Sequence, residues 1–147
     1  MEFAMSYLVK HYMNKEVRTI EDTASVIEAT QKIVETDEGY LIVLNKGRPS
    51  GIVTENDFVK KVMAQQLDPQ KLNVGDIMST PLVTIDPDEN LLKASEIMKQ
   101  RKIRRLPVVK DGIVYGIITA NDIAMGCGEY VDRSVRDIVR WTAPFGI

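Results

Sequence analysis

Cysteine and histidine are almost missing from this chain: among 147 residues there is one of each, Cys127 and His11. A lone cysteine excludes an intramolecular disulfide framework, and a lone histidine excludes a His-rich metal site. No metal and no catalytic cofactor is expected. Charge of one sign is also missing. Nineteen basic residues against twenty-one acidic ones leave a net charge of −2, whereas a nucleic-acid binder working through bulk electrostatics carries a clear basic excess. The one basic cluster, Lys102-Ile103-Arg104-Arg105, has none of the interleaved aromatics that stack on single-stranded bases. No apolar run approaches the ~20 residues needed to span a bilayer, and the first residues lack the apolar core of a signal peptide. A cytoplasmic protein with no nucleic-acid and no membrane partner is the default expectation.

What the chain does have is repetition. Shifted by 65 residues, Gly51-Ile52-Val53-Thr54-Glu55-Asn56-Asp57 falls on Gly116-Ile117-Ile118-Thr119-Ala120-Asn121-Asp122. Between residues 9–58 and 74–123 the match needs no gap, and 13 of 50 positions are identical. Unrelated sequence of ordinary composition would give roughly three. Most of the chain is therefore one unit duplicated. A unit of about 55 residues buries too little surface to stand comfortably alone. Two copies about a pseudo-two-fold axis, packed through their sheets, would share a core and create two equivalent clefts lined by both copies.

Each copy has the same internal order. An extended piece with a Thr-Ile pair comes first, at 17–20 and 82–85. Acidic and capping residues then mark a helix start. Val26, Ala29 and Ile33 in the first copy, and Leu91, Ala94 and Met98 in the second, form an apolar stripe at i, i+3, i+7. Two apolar strands follow, joined by turns at Asn45-Lys46-Gly47 and Lys110-Asp111-Gly112. A second helix opens at Thr54 or Thr119. The expected class is α+β, two β-α-β-β-α repeats at 8–64 and 74–128, with a linker at 65–73 and a C-terminal helix and tail at 129–147. A short lead-in, Val9-Lys10-His11-Tyr12-Met13 and Val74-Gly75-Asp76-Ile77-Met78, precedes each repeat and is echoed at Val135-Arg136-Asp137-Ile138-Val139.

The chemistry concentrates in Gly-apolar-apolar-Thr-x-x-Asp. Thr54 and Thr119 stand where a strand becomes a helix, and Asp57 and Asp122 lie in the first turn. Thr-x-x-Asp is a capping box that needs no ligand. The same first-turn carboxylate is also suited to accept both hydrogens of a vicinal diol, as carboxylates do with ribose, with phosphate favoured near the helix N-terminus. The residues alone leave both possibilities open. Cys127, flanked by glycines and with no histidine near it in sequence, is expected to be a small buried residue rather than a nucleophile. Trp141 and Phe145 are expected to be apolar anchors.

Val-x-Asp-Ile-Met at 74–78, Arg-Arg-Leu-Pro-Val-Val at 104–109 and Gly-Ile-Ile-Thr-x-x-Asp at 116–122 make the two units resemble a tandem pair of CBS (cystathionine β-synthase) domains, a Bateman module. The resemblance covers residues 8 to about 128. It implies adenosine-containing ligands such as AMP, ADP, ATP or S-adenosylmethionine in the clefts, a homodimer, and a sensor role toward some regulated protein rather than catalysis. By the same resemblance Thr54 and Asp57 would hold ribose in one cleft, with Leu82 and Val83 on adenine, Lys102 and Arg105 of the second copy on phosphate, and Pro107 beside the ligand. In the other cleft Thr119 and Asp122 would face Val17 and Arg18, with Arg104 able to turn toward them. Asp37 and Tyr40 occupy the positions of Lys102 and Arg105, so the Asp57 cleft is expected to be the better phosphate site. Asn56 and Asn121 replace an arginine common in this family, which favours a monophosphate over a triphosphate. A purely structural module with empty clefts is the alternative.

Overall fold

Local sequence fixes the hairpins first. The computed structural model describes residues 7–127, and the tail at 129–147, with its third echo, Trp141 and Phe145, lies outside them. Strand β1 (Thr19–Glu21) precedes helix α1 (Val26–Thr36), then β2 (Tyr40–Asn45) and β3 (Arg48–Thr54). Helix α2 (Glu55–Phe58) runs into a π-helical turn at Val59–Met63. A short helix α3 (Val74–Ile77) leads to α4 (Leu91–Arg101), β4 (Arg105–Lys110), β5 (Ile113–Thr119) and α5 (Ala120–Cys127). Both hairpins turn on two residues with positive φ, Lys46 and Gly47 (51° and 81°) and Asp111 and Gly112 (53° and 76°). That is the primed two-residue turn whose twist matches the flanking strands.

The apolar stripes are buried as their spacing predicts. Val26, Ala29 and Ile33 of α1 are covered, as are Leu91, Ala94 and Met98 of α4. Ser25 and Asn90 cap the two helices through their side chains, accepting from the amides of Glu28 and Lys93. Both helices end at a residue in the left-handed region, Asp37 and Lys102, each with φ 57°. The first copy forms a three-stranded sheet in which β1 lies parallel to β2 and β3 antiparallel to it. The second copy differs. Its expected first strand at 82–85 contracts to a single parallel bridge from Ile85 to Val108, held by bonds from the Ile85 amide to the Pro107 carbonyl and from the Val109 amide to the Ile85 carbonyl.

The described residues divide into two compact units that do not follow the sequence repeat: 17–83 form one, and 7–16 together with 84–127 form the other. Within the 17–83 unit the lead-in at 74–79 docks on the first repeat. The Val74 and Gly75 amides donate to the carbonyls of Ala24 and Asp22, and Ser79 exchanges two backbone bonds with Ile52. Within the other unit the lead-in at 8–14 docks on the second repeat by the same pattern 65 residues on. Val9 and Lys10 donate to Glu89 and Pro87, and Asn14 exchanges two bonds with Ile117. Each repeat is thus completed by the lead-in of the other.

This docking explains the repeated glycine. A Cβ on Gly51 would lie 2.7 Å from the Met78 sulfur and 3.0 Å from the Ser79 carbonyl oxygen. A Cβ on Gly116 would lie 2.7 Å from the Asn14 carbonyl oxygen and 2.8 Å from the Met13 sulfur. Neither glycine has positive φ, so space rather than backbone freedom selects it. Val9, Val74 and Ile77, the apolar residues of the lead-ins, are buried, and burying side chains of this size contributes about 1.5–3 kcal/mol each. Gly116→Ala is therefore expected to cost about 1–3 kcal/mol in urea unfolding. Met13→Ala in the same chain should not restore it, because the backbone carbonyl remains in the way.

An exposed ion network also ties the first lead-in to the second repeat. Asp88 receives Lys10 and Lys110, each at 3.0 Å. Hydrogen bonds from Lys10 and then Lys110 hold the Asp88 carboxyl below its ordinary value, and the bond to Asp88 raises Lys110. A depressed carboxylate contributes stability above its unfolded value of 3.8, and loses it as the pH falls through the lower folded value. The raised Lys110 contributes below 10.5 and loses its share as the pH rises. Asp88→Asn should flatten the stability loss below pH 3.8 in denaturant melts followed by circular dichroism, and added salt should mimic it.

Candidate functional site

Both Thr-x-x-Asp motifs form reciprocal caps. In the 17–83 unit, the Thr54 amide donates to Asp57 Oδ2 at 2.9 Å, completing a capping box at the start of α2. In the other unit, the Thr119 amide donates to Asp122 Oδ2 at 3.0 Å and the Asp122 amide donates to Thr119 Oγ1 at 3.1 Å. The bland possibility raised by the sequence is thus realised in both copies: the helix starts satisfy themselves.

Beyond the caps the copies diverge. Asp57 is a buried carboxylate, 6% exposed, and its Oδ1 is fully engaged. It accepts from the Ser79 hydroxyl at 2.9 Å and pairs with the Lys61 ammonium at 2.9 Å. That ammonium also donates to the Ile77 carbonyl at 2.9 Å and to Ser79 Oγ at 3.3 Å. Lys61 sits in the π-helical turn, where the Ala64 amide reaches back five residues to Val59. Asp122 is half-buried, and among the described residues nothing bonds its Oδ1. The position equivalent to Lys61 is Gly126, where a Cβ would run into the Tyr12 ring. Tyr12, itself stacked on Tyr7 with ring centroids 6.1 Å apart, takes the place of Ile77. Asn14 takes the place of Ser79 and turns its side-chain oxygen to the Glu16 amide.

The basic cluster lies in the unit of the Asp122 motif. Arg105 begins β4 and is the register partner of Thr119 on β5. The Arg104 carbonyl accepts the Ala120 amide at 3.0 Å, and Lys102 is the exposed left-handed cap of α4. Pro107 is buried and paired with Ile117. The corresponding positions beside Thr54 are Asp37, Gly39 and the buried Tyr40, the last in register with Thr54. Leu82 and Val83 are half-buried, Val17 is half-buried and Arg18 exposed, all four in the 17–83 unit. Arg18 contributes its carbonyl to the Ile42 amide.

Sequence reasoning overlooked Lys61 and Ser79. Lys61 stands four residues after Asp57, the spacing at which helical side chains meet, so its pairing was within reach. Ser79 reaches Asp57 only because the lead-in of the second repeat docks on the first. Among the described residues no group of three or more His, Cys, Asp and Glu side chains is arranged to hold a metal. No helix among them is long and apolar enough to cross a membrane.

A β-α-β-β-α repeat and a second copy whose first strand is reduced to the Ile85 bridge, each with a Thr-x-x-Asp cap, define a tandem α+β repeat fold. The chain belongs to the CBS domain family, which matches residues 9–64 and 74–127. An uncharacterized protein of Methanopyrus kandleri is 37% identical over 80% of this chain, and that match spans only 61% of the relative's own length. The CBS domain-containing protein YhcV of Bacillus subtilis is 33% identical over 80% of this chain and 83% of its own. Among solved structures, a hexameric CBS-CP12 protein from bloom-forming cyanobacteria is 29% identical, covers 95% of this chain and 80% of that one, and superposes with a TM-score of 0.74.

The different surroundings of the two carboxylates have a direct consequence for stability. Removing Asp57 takes one acceptor from the Lys61 ammonium and the acceptor of the Ser79 hydroxyl as well as the cap, whereas removing Asp122 loses a cap alone. Asp122→Ala should cost about 1 kcal/mol, and Asp57→Ala about 2–4 kcal/mol, measured by urea denaturation at neutral pH.

Proposed function

We propose that this chain is a regulatory module that binds an adenosine-containing ligand, AMP ahead of ADP and ATP, without chemical turnover. The observation that carries this reading is the Asp122 motif. Its carboxylate has one oxygen fixed by the cap and the other without a partner among the described residues. Such an oxygen accepts the hydroxyl hydrogens of a vicinal diol. Arg105 is the register partner of Thr119. The phosphate contacts of Lys102 and Arg105, which the resemblance assigned to the Asp57 cleft, therefore go to the Asp122 motif, with Arg104 beside them. Asn56 and Asn121, neutral residues directly before each aspartate, limit the positive charge and favour a single phosphate. The CBS repeats themselves are commonly regulatory ligand-binding modules.

Binding becomes a signal only where the nucleotide prefers one arrangement of the chain over another. Assembly is the natural carrier, as a homodimer or a larger ring, and a hexameric relative exists. A second reading has its own observation: both caps are complete without a ligand, as a purely structural module would require.

Thermal melts separate the two. AMP at a hundred times its dissociation constant should stabilise the fold by about 2.7 kcal/mol, and the shift should disappear in Asp122→Asn. Arg105→Ala should weaken AMP more than adenosine, because the lost contact is to phosphate. Absence of any shift with AMP, ADP, ATP, S-adenosylmethionine and NAD favours the structural module.

A further inference from the structure

We infer that Lys61 is a built-in occupant of the Asp57 motif, an internal cation that keeps this carboxylate from a ligand and leaves the Asp122 motif to bind alone. The inference rests on the proposed nucleotide binding and goes beyond it by ranking the two motifs. A carboxylate that is to hold a diol needs free acceptor capacity on an oxygen the hydroxyls can reach. At Asp57, Oδ2 takes the Thr54 amide, and Oδ1 takes both the Lys61 ammonium and the Ser79 hydroxyl. The Asp57 side chain is 8% exposed and is paired with Lys61, which is 42% exposed.

The latch is fastened at several points. Its ammonium has three protein acceptors within 3.3 Å, the Asp57 carboxylate, the Ile77 carbonyl and the Ser79 hydroxyl. A diol entering here must displace a charge-assisted bond and leave a cation to find water again. In the other unit the latch has no counterpart, and its absence is enforced: Gly126 stands at the lysine position because the Tyr12 ring fills the space a side chain would need. The two copies thus differ by a coupled pair, Lys61 with Ile77 in one and Gly126 with Tyr12 in the other. The family resemblance made the Asp57 motif the better phosphate site; the latch instead closes that motif at the hydroxyl end of the ligand and leaves the Asp122 motif open.

Calorimetric titration of the full chain with AMP tests this. Wild type should bind one AMP per chain, lost in Asp122→Asn and unchanged in Asp57→Asn. Lys61→Met should add a second binding event, with affinity at the Asp57 motif raised roughly tenfold or more. Lys61→Arg keeps the cation and should remain at one. An unliganded melt of each variant confirms that it is folded. Two events in wild type, one of them removed by Asp57→Asn, would overturn the latch and leave nucleotide binding intact. Weaker AMP binding in Lys61→Met would make Lys61 a ligand contact and equally overturn it. Failure of AMP to bind either wild type or Lys61→Met removes the nucleotide function, and the latch with it.

Discussion

Everything in this molecule depends on one close approach, that of a lead-in methionine and its following backbone to a strand glycine. Gly51 receives Met78 and Ser79, and Gly116 receives Met13 and Asn14. The approach is close enough to exclude a methyl group, and it brings the lead-in backbone into register with β3 or β5 through paired hydrogen bonds. Because glycine immediately precedes the strand residue that makes those bonds, and Thr-x-x-Asp follows at once, the position of the cap is set by the docking. Ser79 stands next to Asp57 for that reason alone. The docking of each lead-in and the surroundings of each cap follow from one contact repeated at two places.

Repetition of the scaffold has left room for the chemistry to diverge. The backbone bonds of the two lead-ins correspond residue for residue at a spacing of 65, and both hairpins, both caps and both left-handed helix ends are kept. The differences lie in side chains that the scaffold does not dictate. A lysine can occupy position 61 because Ile77 leaves space and offers its carbonyl. Tyr12 forbids the same at 126. A left-handed cap tolerates aspartate at 37 and lysine at 102, and the second complements the carboxyl end of its helix while the first does not. Charge was free to change wherever shape was satisfied.

Much of this was legible in the sequence. The buried stripes of α1 and α4 follow from apolar spacing, the hairpins from Lys46-Gly47 and Asp111-Gly112, and the caps from Thr54 and Thr119. Those features depend on residues within a few positions of one another. The strand expected at 82–85 shrank to the bridge at Ile85, since a Thr-Ile pair and β-branched neighbours specify extended backbone but not the number of partners it finds. The exchange of lead-ins was not legible at all. A repeat at fixed spacing shows that two segments are equivalent, and it is silent on which copy each one packs against. The environment of Asp57 was hidden by the same ambiguity, because Ser79 belongs by sequence to the other repeat.

The exchange means that the unit duplicated in sequence and the unit that closes in space are different objects, offset by one lead-in. A chain cut in the linker at 65–73 would separate each repeat from the segment that completes it, although neither repeat would lose a residue of its own. Two such halves mixed together carry matching missing pieces, and each can be made whole only by the other. Duplication here did not append a second finished part to a first. It made completion itself a reciprocal property, so that neither repeat can be inherited, swapped or discarded as an independent piece.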